Sequence, residues 1–597
     1  MEVTDHSAPA IERRLGARIL PLLLVAMLVA PLLAGSDTTP LLSLLAGSIA
    51  VVVLGVSALV EPRAGRTLSP LVTATLLSSF LLATWLTARA LLSASPHVSF
   101  LGTMGQHSGA ALWIVAAGWL AGAALVADKR ALRDMLGVVA VFGALYAVLG
   151  IVEAAGGTGR EWGSAAGPFE NSSSLGSFLA IAAFAAFAWG RTWRDRAARF
   201  AANAVAAVCV LGIWAADSRT GLAGIAIGLA VLGLLYVGKR SQTRTWMVAT
   251  GVPLAGLAVT AVLALGATGR LGPVVLRAIA SIGTQRDTIW NSAVAQVVAS
   301  PFAGRGPELF SAWISWSFDG GVLSFNGTYD PHHALLGLAL GGGLVAVTLA
   351  LVAATAGLAA SVNVFEDARR ALPVASIAAL PAALAGASLF TWLTPAAVFA
   401  AAAVLGALLA SARASDARVA DSRLARQLRI GMGATLMLGC AATIAVAVIA
   451  LPTQRAFSSL EDVDLNGAVA LYQSWPDPAY ASRAADAAVI SGLDPSMLDR
   501  ILGDVDSMAE HHVDLALRQI FLGQRALTVD SARWPEFAEA VERGMRADPA
   551  SGIWYTLAAA QADALGRHES SADYAERALG FALTPEDRVY LEGLAGR

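Results

Sequence analysis

Charge is what this 597-residue chain is short of: Asp, Glu, Lys and Arg make up 14% of it, against about 25% in a soluble domain. With 56% hydrophobic residues and a mean hydropathy of +0.63, a soluble protein is excluded and a polytopic membrane protein remains. Cysteine is nearly absent. Cys209 and Cys440 are the only two, both inside apolar runs, so they read as small core residues and not as metal ligands. A net charge of −2 offers nothing to nucleic acid, and no nucleic-acid partner is expected. Histidine is scarce too, 8 in all, yet two stand side by side in "YDPHHALLGLALGGGLVA", Tyr329 to Ala346, directly before an apolar run.

What the chain has in quantity is runs long enough to cross a bilayer, for which about 20 apolar helical residues suffice. Thirteen stretches qualify: about 17–34, 41–60, 68–92, 107–127, 134–153, 173–190, 199–215, 220–238, 246–267, 332–360, 372–390, 395–411 and 429–451. The first lacks a small-residue cleavage site and is followed by further spans, so it reads as a retained helix. The expected fold is all-α: a polytopic membrane bundle of about 13 transmembrane helices with a small extracytoplasmic α-helical, repeat-like domain.

Basic residues orient it. With the N-terminus cytoplasmic, 22 of the 41 Lys and Arg fall in the inside segments. The outside loops hold Arg160, Arg219, Arg270, Arg277, Arg286 and Arg305, with Arg89 near an outer helix end. That bias points to a cytoplasmic N-terminus in the cytoplasmic (inner) membrane. An odd number of spans then puts everything after about Leu451 outside. Two domains result: 1–451, the transmembrane part with its long outside loop 267–331, and 452–597, an extracytoplasmic helical tail.

The tail carries an internal echo. "FAEAVERGMRADP" (Phe537 to Pro549) and "SADYAERALGFALTP" (Ser571 to Pro585) both read as the second helix of a hairpin ending in proline, 36 residues apart. Between them "WYTLAAAQADALGR" supplies a first helix. This is similar to a tetratricopeptide repeat, whose period is 34; an ordinary helical hairpin bundle fits as well. Either way the tail reads as a docking module for a protein partner. Glu510, His511 and His512 do not make a metal site, because adjacent helical residues point about 100° apart.

The few polar groups near the outer ends of the spans are informative. At "WAADSRTGLAG" (Trp214 to Gly224), Asp217, Ser218 and Arg219 sit between two apolar runs; the arginine either snorkels to the surface or offers a planar fork to a phosphate. The long loop continues with "TQRDTIWNSAVAQVVASPFAGRGPELF" (Thr284 to Phe310), which starts near Arg286, runs as an amphipathic helix from Thr288 to Ser300, and turns at Pro301 around Arg305. It reads alternatively as a helix lying on the membrane surface. The tenth span opens at "DPHHALL", and a helix N-terminus favours anions and keeps a nearby imidazole neutral, able to take a proton. Two adjacent helical residues diverge, so only one histidine faces a cavity. Forks for a diphosphate plus a base for a hydroxyl describe a glycosyl or phosphoryl transferase on a lipid-linked donor. No acidic cluster suited to Mg²⁺ stands with them, so no metal and no cofactor is expected.

These pieces resemble the O-antigen ligase and polymerase family of bacterial envelope glycan enzymes. "GPFENSSSLGSFLA" (Gly167 to Ala180), "SRTG" (Ser218 to Gly221), the Arg, Trp, Pro, Gly-x-Gly loop and "HHALLGLALGGG" occur in that family's order over about Leu20 to Ala410. The resemblance implies that His332 is the catalytic base, that Arg219 and Arg286 hold the donor diphosphate with Arg305 nearby, and that Ser218, Asn171 and His333 belong to the substrate-binding surface. His333 occupies the family's asparagine slot, and Gly341 one where an acidic residue is common. The tail is an addition to the usual twelve-helix plan. The implied partners are a polyprenyl (undecaprenyl) diphosphate-linked glycan, a lipid, glycan or protein acceptor, and membrane lipids. A repeat-unit polymerase of the same family is one alternative; a small-solute transporter, for which Glu153, Asp217 and Arg89 are the candidate residues, is another, and an inactive scaffold a third.

Overall fold

In the computed structural model the described residues are 15–33, 38–60, 69–93, 95–103, 106–157, 165–169, 171–237, 250–251, 253–262, 286–310, 312–319, 322–328, 330–366, 371–389, 391, 394–410, 423–460, 464–475, 534–535, 538, 542, 553–580 and 585–596. Arg160, Arg270, Arg277, the Glu510 to His512 segment and most of 537–549 lie outside them.

The chain is a helical membrane protein; among the described residues eight helices are long and apolar enough to cross a membrane. In chain order the elements are α1 (Leu15–Leu33), α2 (Thr39–Val60), α3 (Pro70–Leu91), α4 (Pro96–Leu101), α5 (Ala110–Val126), α6 (Lys129–Ala155), α7 (Ser172–Thr192), α8 (Arg196–Ala215) and α9 (Arg219–Val237). The short α10 (Pro253–Val262) follows. Then come α11 (Arg286–Ala299), β1 (Ala312–Asp319), β2 (Val322–Thr328), α12 (Ala334–Glu366), α13 (Ala371–Ser388), α14 (Pro395–Leu409) and α15 (Arg423–Ser458). The last are α16 (Leu465–Ser474), α17 (Ile553–Ala564), α18 (His568–Leu579) and α19 (Pro585–Ala595). The eight long helices are α1, α2, α3, α6, α7, α8, α12 and α15, and they coincide with eight of the thirteen apolar stretches; α5, α9, α10, α13 and α14 are shorter apolar helices in the other five.

Burial sorts these helices. In α7, 83% of the spanning window is buried, against 22% in α8 and 28% in α15, so α7 is the axis of the bundle and the other two are its rim. Around α7 pack α6, α8, α9 and α13. On the rim Phe200, Trp214 and Leu438 are exposed, an apolar surface that suits lipid and not water. Charge is confined to helix ends, where it has work: the Asp128 and Asp195 carboxylates accept first-turn N–H groups of α6 and α8, donors that hydrocarbon would leave unsatisfied.

Two seams position the functional end. At the first, α7 meets α9 through glycine: a Cβ on Gly176 would overlap the Ser218 hydroxyl, and one on Gly221 would come within 2.9 Å of the Gly176 backbone. Small residues let membrane helices approach this closely, and dispersion does the rest. At the second, α12 breaks at "GGG". Gly343 has φ 65° and ψ −165°, a conformation essentially confined to glycine. Loop 301–307 threads into the break. The Leu344 N–H donates to Pro301 O (2.8 Å), the Arg305 N–H to Leu340 O (2.7 Å), and the Gly306 N–H to Gly341 O (3.1 Å). From α3, the Trp85 indole N–H donates to Gly342 O (2.8 Å). The groups freed by the break are thereby paired again.

The long loop departs from helix. Its strands β1 and β2 pair antiparallel, Ala312 opposite Thr328 and Asp319 opposite Val322. The sequence reading placed helix and turn here but no strand; the two-residue alternation of "WISWSF" favours a pleated ribbon over a helical face. Farther on, α17 and α18 form the hairpin expected of "WYTLAAAQADALGR" and its successor, with the Ser571 hydroxyl donating to Ala559 O (2.9 Å).

Candidate functional site

Four helix N-termini gather at one end of the bundle. Asn171 caps α7, its Oδ1 accepting the Ser174 N–H at 2.8 Å. Ser218 precedes α9, its hydroxyl accepting the Gly221 N–H at 3.2 Å. Thr220 of α9 donates its hydroxyl to Ser173 O of α7 at 3.3 Å, which draws the two starts together. Arg219 opens α9 and Arg286 opens α11. The two guanidinium charges feel each other, and Arg286 also feels the carboxyl of Asp330. Asp330 in turn lies two residues before His332, ahead of His333 and the start of α12.

Each sequence-predicted residue now has a place. Arg219, His332 and His333 each lie within electrostatic reach of Arg286, although 113 positions separate the first arginine from His332. Burial, then Arg219, holds Arg286 below its ordinary range, and its Nη1 is buried with no hydrogen-bond partner among the described residues. Ser218 and Asn171 are helix caps. Arg305 stands apart: it is exposed, its Nη1 donates to Gln296 at 2.9 Å, and Gln296 lies ten residues along α11 from Arg286, about 15 Å of rise.

The histidines differ from the helical pair expected. Both precede α12, and His332 has φ 50°, so it stands off the helix altogether. Its N–H donates to the Asp330 carboxylate, and its Nδ1 lies 3.6 Å from Asp330 Oδ1, with the imidazole 26% exposed. His333 is 1% exposed. It caps α12, with Leu336 N–H directed at Nδ1 at 3.5 Å, and packs edge-on against Trp290 at 5.9 Å. The Trp290 N–H donates to Pro331 O at 2.9 Å, pinning α11 to the turn. Burial, with Arg286 adding to it, pulls both imidazoles down to about 4, so both are neutral at pH 7.

Two acidic residues belong to the site that motif reading passed over. Glu308 receives the Ser108 hydroxyl and the Thr103 hydroxyl at 2.9 Å. Burial raises it; burial and then Glu308 raise Asp330. Together with Ser108 they line a cavity of about 50 Å³ whose other walls come mainly from α5, α12 and loop 306–310. That is room for a few waters and not for a sugar. The signal was present for Asp330, in the Asp-Pro-His spacing of a side-chain-capped turn; for Glu308 it was a position in a loop with no local pattern.

Strain concentrates here as well. Among the described residues the non-glycine positions with positive φ are His107, Asp217, Glu308 and His332. Each costs roughly 1–3 kcal/mol, and all four are in or beside the segments just described. Two of the three transporter candidates are tied to backbone: Glu153 accepts the Ala166 and Gly167 N–H groups, and Arg89 donates to Gly304 O at 2.9 Å; Asp217 stands beside Ser218 with φ 48°. Among the described residues no group of three or more His, Cys, Asp or Glu is placed to hold a metal ion. No protein-family model matches this chain, and no curated protein matches it.

Proposed function

We propose that the chain is a membrane glycosyltransferase of the O-antigen ligase type, moving a glycan from a polyprenyl diphosphate carrier to an acceptor at the outer face of the cytoplasmic membrane. In this reading the chain crosses the membrane thirteen times, its N-terminus is cytoplasmic, and residues 452–597 are an extracytoplasmic domain. One observation carries the reading: helix N-termini headed by Arg219 and Arg286 converge beside a neutral His332, and Arg286 keeps a buried donor unanswered. Helix starts attract anions through their dipoles and N–H groups, and guanidinium forks match phosphate geometry. Two mutually repelling arginines are most stable with an anion between them.

The chemistry follows. The acceptor's hydroxyl or amide attacks the anomeric carbon, and its proton passes to His332 Nε2. The bond from that carbon to the diphosphate oxygen breaks, and its electron pair leaves on the diphosphate, whose added charge Arg219 and Arg286 stabilise.

Replacing His332 with Ala removes a proton acceptor worth about 10² to 10⁴ in rate, so glycan transfer in membranes should be abolished. His333→Asn should retain most activity, because asparagine is a good helix cap. Both proteins should insert at normal levels; equal activity of the two would leave the arginines without a base. For the topology, a reporter active only outside should work fused after Arg455 and fail within 412–429, and the reverse would put the site on the wrong face.

A further inference from the structure

We propose that Asp330 is the positioning residue of His332, and that Glu308, which lines the same small cavity, sets whether Asp330 carries its charge. This rests on the transferase reading for its purpose but not for its test. Asp330 grips His332 twice: Oδ1 accepts the backbone N–H and stands 3.6 Å from Nδ1. The first contact, two residues on and across Pro331, is the side-chain turn that asparagine and aspartate favour, and it holds His332 in its left-handed backbone. The second is roughly half an ångström longer than a formed hydrogen bond, a gap that catalytic contacts close when substrate arrives.

The tautomer depends on that grip. With Asp330 ionised, the imidazole proton sits on Nδ1 facing the carboxylate, and Nε2 carries the lone pair that can accept a proton. With Asp330 protonated, its O–H donates to Nδ1, the ring proton moves to Nε2, and that nitrogen can take no other.

Glu308 decides between the two states because two anions lining one small cavity resist ionising together. The pair therefore titrates as a unit. Burial and Glu308 push Asp330 up, while the His332 N–H and Arg286 oppose them; Ser108 and Thr103 favour the charged form of Glu308. Among the described residues the charged groups acting on His332 are Asp330 and Arg286, with Glu308 and Arg219 one contact beyond. Base competence should rise with pH as Asp330 ionises, since the imidazole itself is already neutral there.

Diethyl pyrocarbonate, which acylates an unprotonated imidazole nitrogen, reads this on the full chain in detergent without any glycan. His332 labelling, resolved from His333 by peptide fragmentation, should rise through a limb above the ordinary carboxylate range. Glu308→Gln removes the like charge and should lower that limb by about one unit, a roughly tenfold gain in rate at fixed pH. Ser108→Ala destabilises the Glu308 anion and should move it the same way by less, which covers the case in which Glu308→Gln fails to insert. Asp330→Asn should abolish the limb and leave only the imidazole's own titration. A limb that stays put in the Glu308 and Ser108 variants, or that survives in Asp330→Asn, overturns the proposal. Transfer that survives His332→Ala would instead overturn His332 as the proton acceptor of the transferase and leave the labelling result standing.

Discussion

The two seams that build the functional end solve the same problem by opposite means. Between α7 and α9 both helices run unbroken through the contact, and Gly176 and Gly221 only remove bulk. Between α12 and loop 301–307 the helix is broken, and its exposed carbonyls are answered one by one by Arg305, Gly306 and Trp85. The first seam is held mainly by van der Waals contact, with the Thr220 to Ser173 hydrogen bond at its end, and tolerates a compensating change; the second is held by directional bonds and does not. A broken helix is retained where irregular backbone carries function, and here the break places the loop bearing Glu308 beside the turn bearing Asp330.

The largest effect should come from Gly343→Ala. A Cβ there would strike the Phe302 carbonyl in a backbone region nearly closed to other residues, costing more than about 3 kcal/mol. Loss of folded protein on size exclusion in detergent is the expected result, with no second-site rescue, because the obstacle is main chain. Gly176→Ala comes next: its obstacle is the Ser218 side chain, so the variant should be destabilised and Ser218→Gly should restore much of the loss. An absence of rescue would show that the α7–α9 seam is as rigid as the broken one. The smallest effect is expected from Trp85→Phe, which strips the donor from Gly342 O and should cost about 1–3 kcal/mol in the thermal midpoint series. No change would mean that water satisfies that carbonyl.

Legibility in the sequence tracked the range of the interaction. The helices were readable because hydrocarbon thickness sets run length, and all eight long helices coincide with stretches marked by composition alone. Arg219 and His332 were singled out because a polar residue at the end of an apolar run is conspicuous, and Arg286 because it opens the amphipathic stretch of the long loop. The broken helix was visible only as three glycines, and the β-hairpin was missed because its two-residue alternation lies inside a loop read for charges. The family resemblance alone told His333 from His332 in the sequence; that His333 caps α12 against Trp290 came from the structure.

By itself, then, the sequence determined that this is a helical membrane protein and which few charged residues stand at the ends of its spans, because the free energy of burying a residue in lipid is local and additive along the chain. Only the tertiary structure decided that Glu308 meets Asp330, that Arg286 feels Arg219, and that His332 leaves its helix. Those facts depend on which loop threads into the break at Gly343, and on the low dielectric that forms once α5, α11 and α12 close around it, where a charge answers to neighbours far away in the chain.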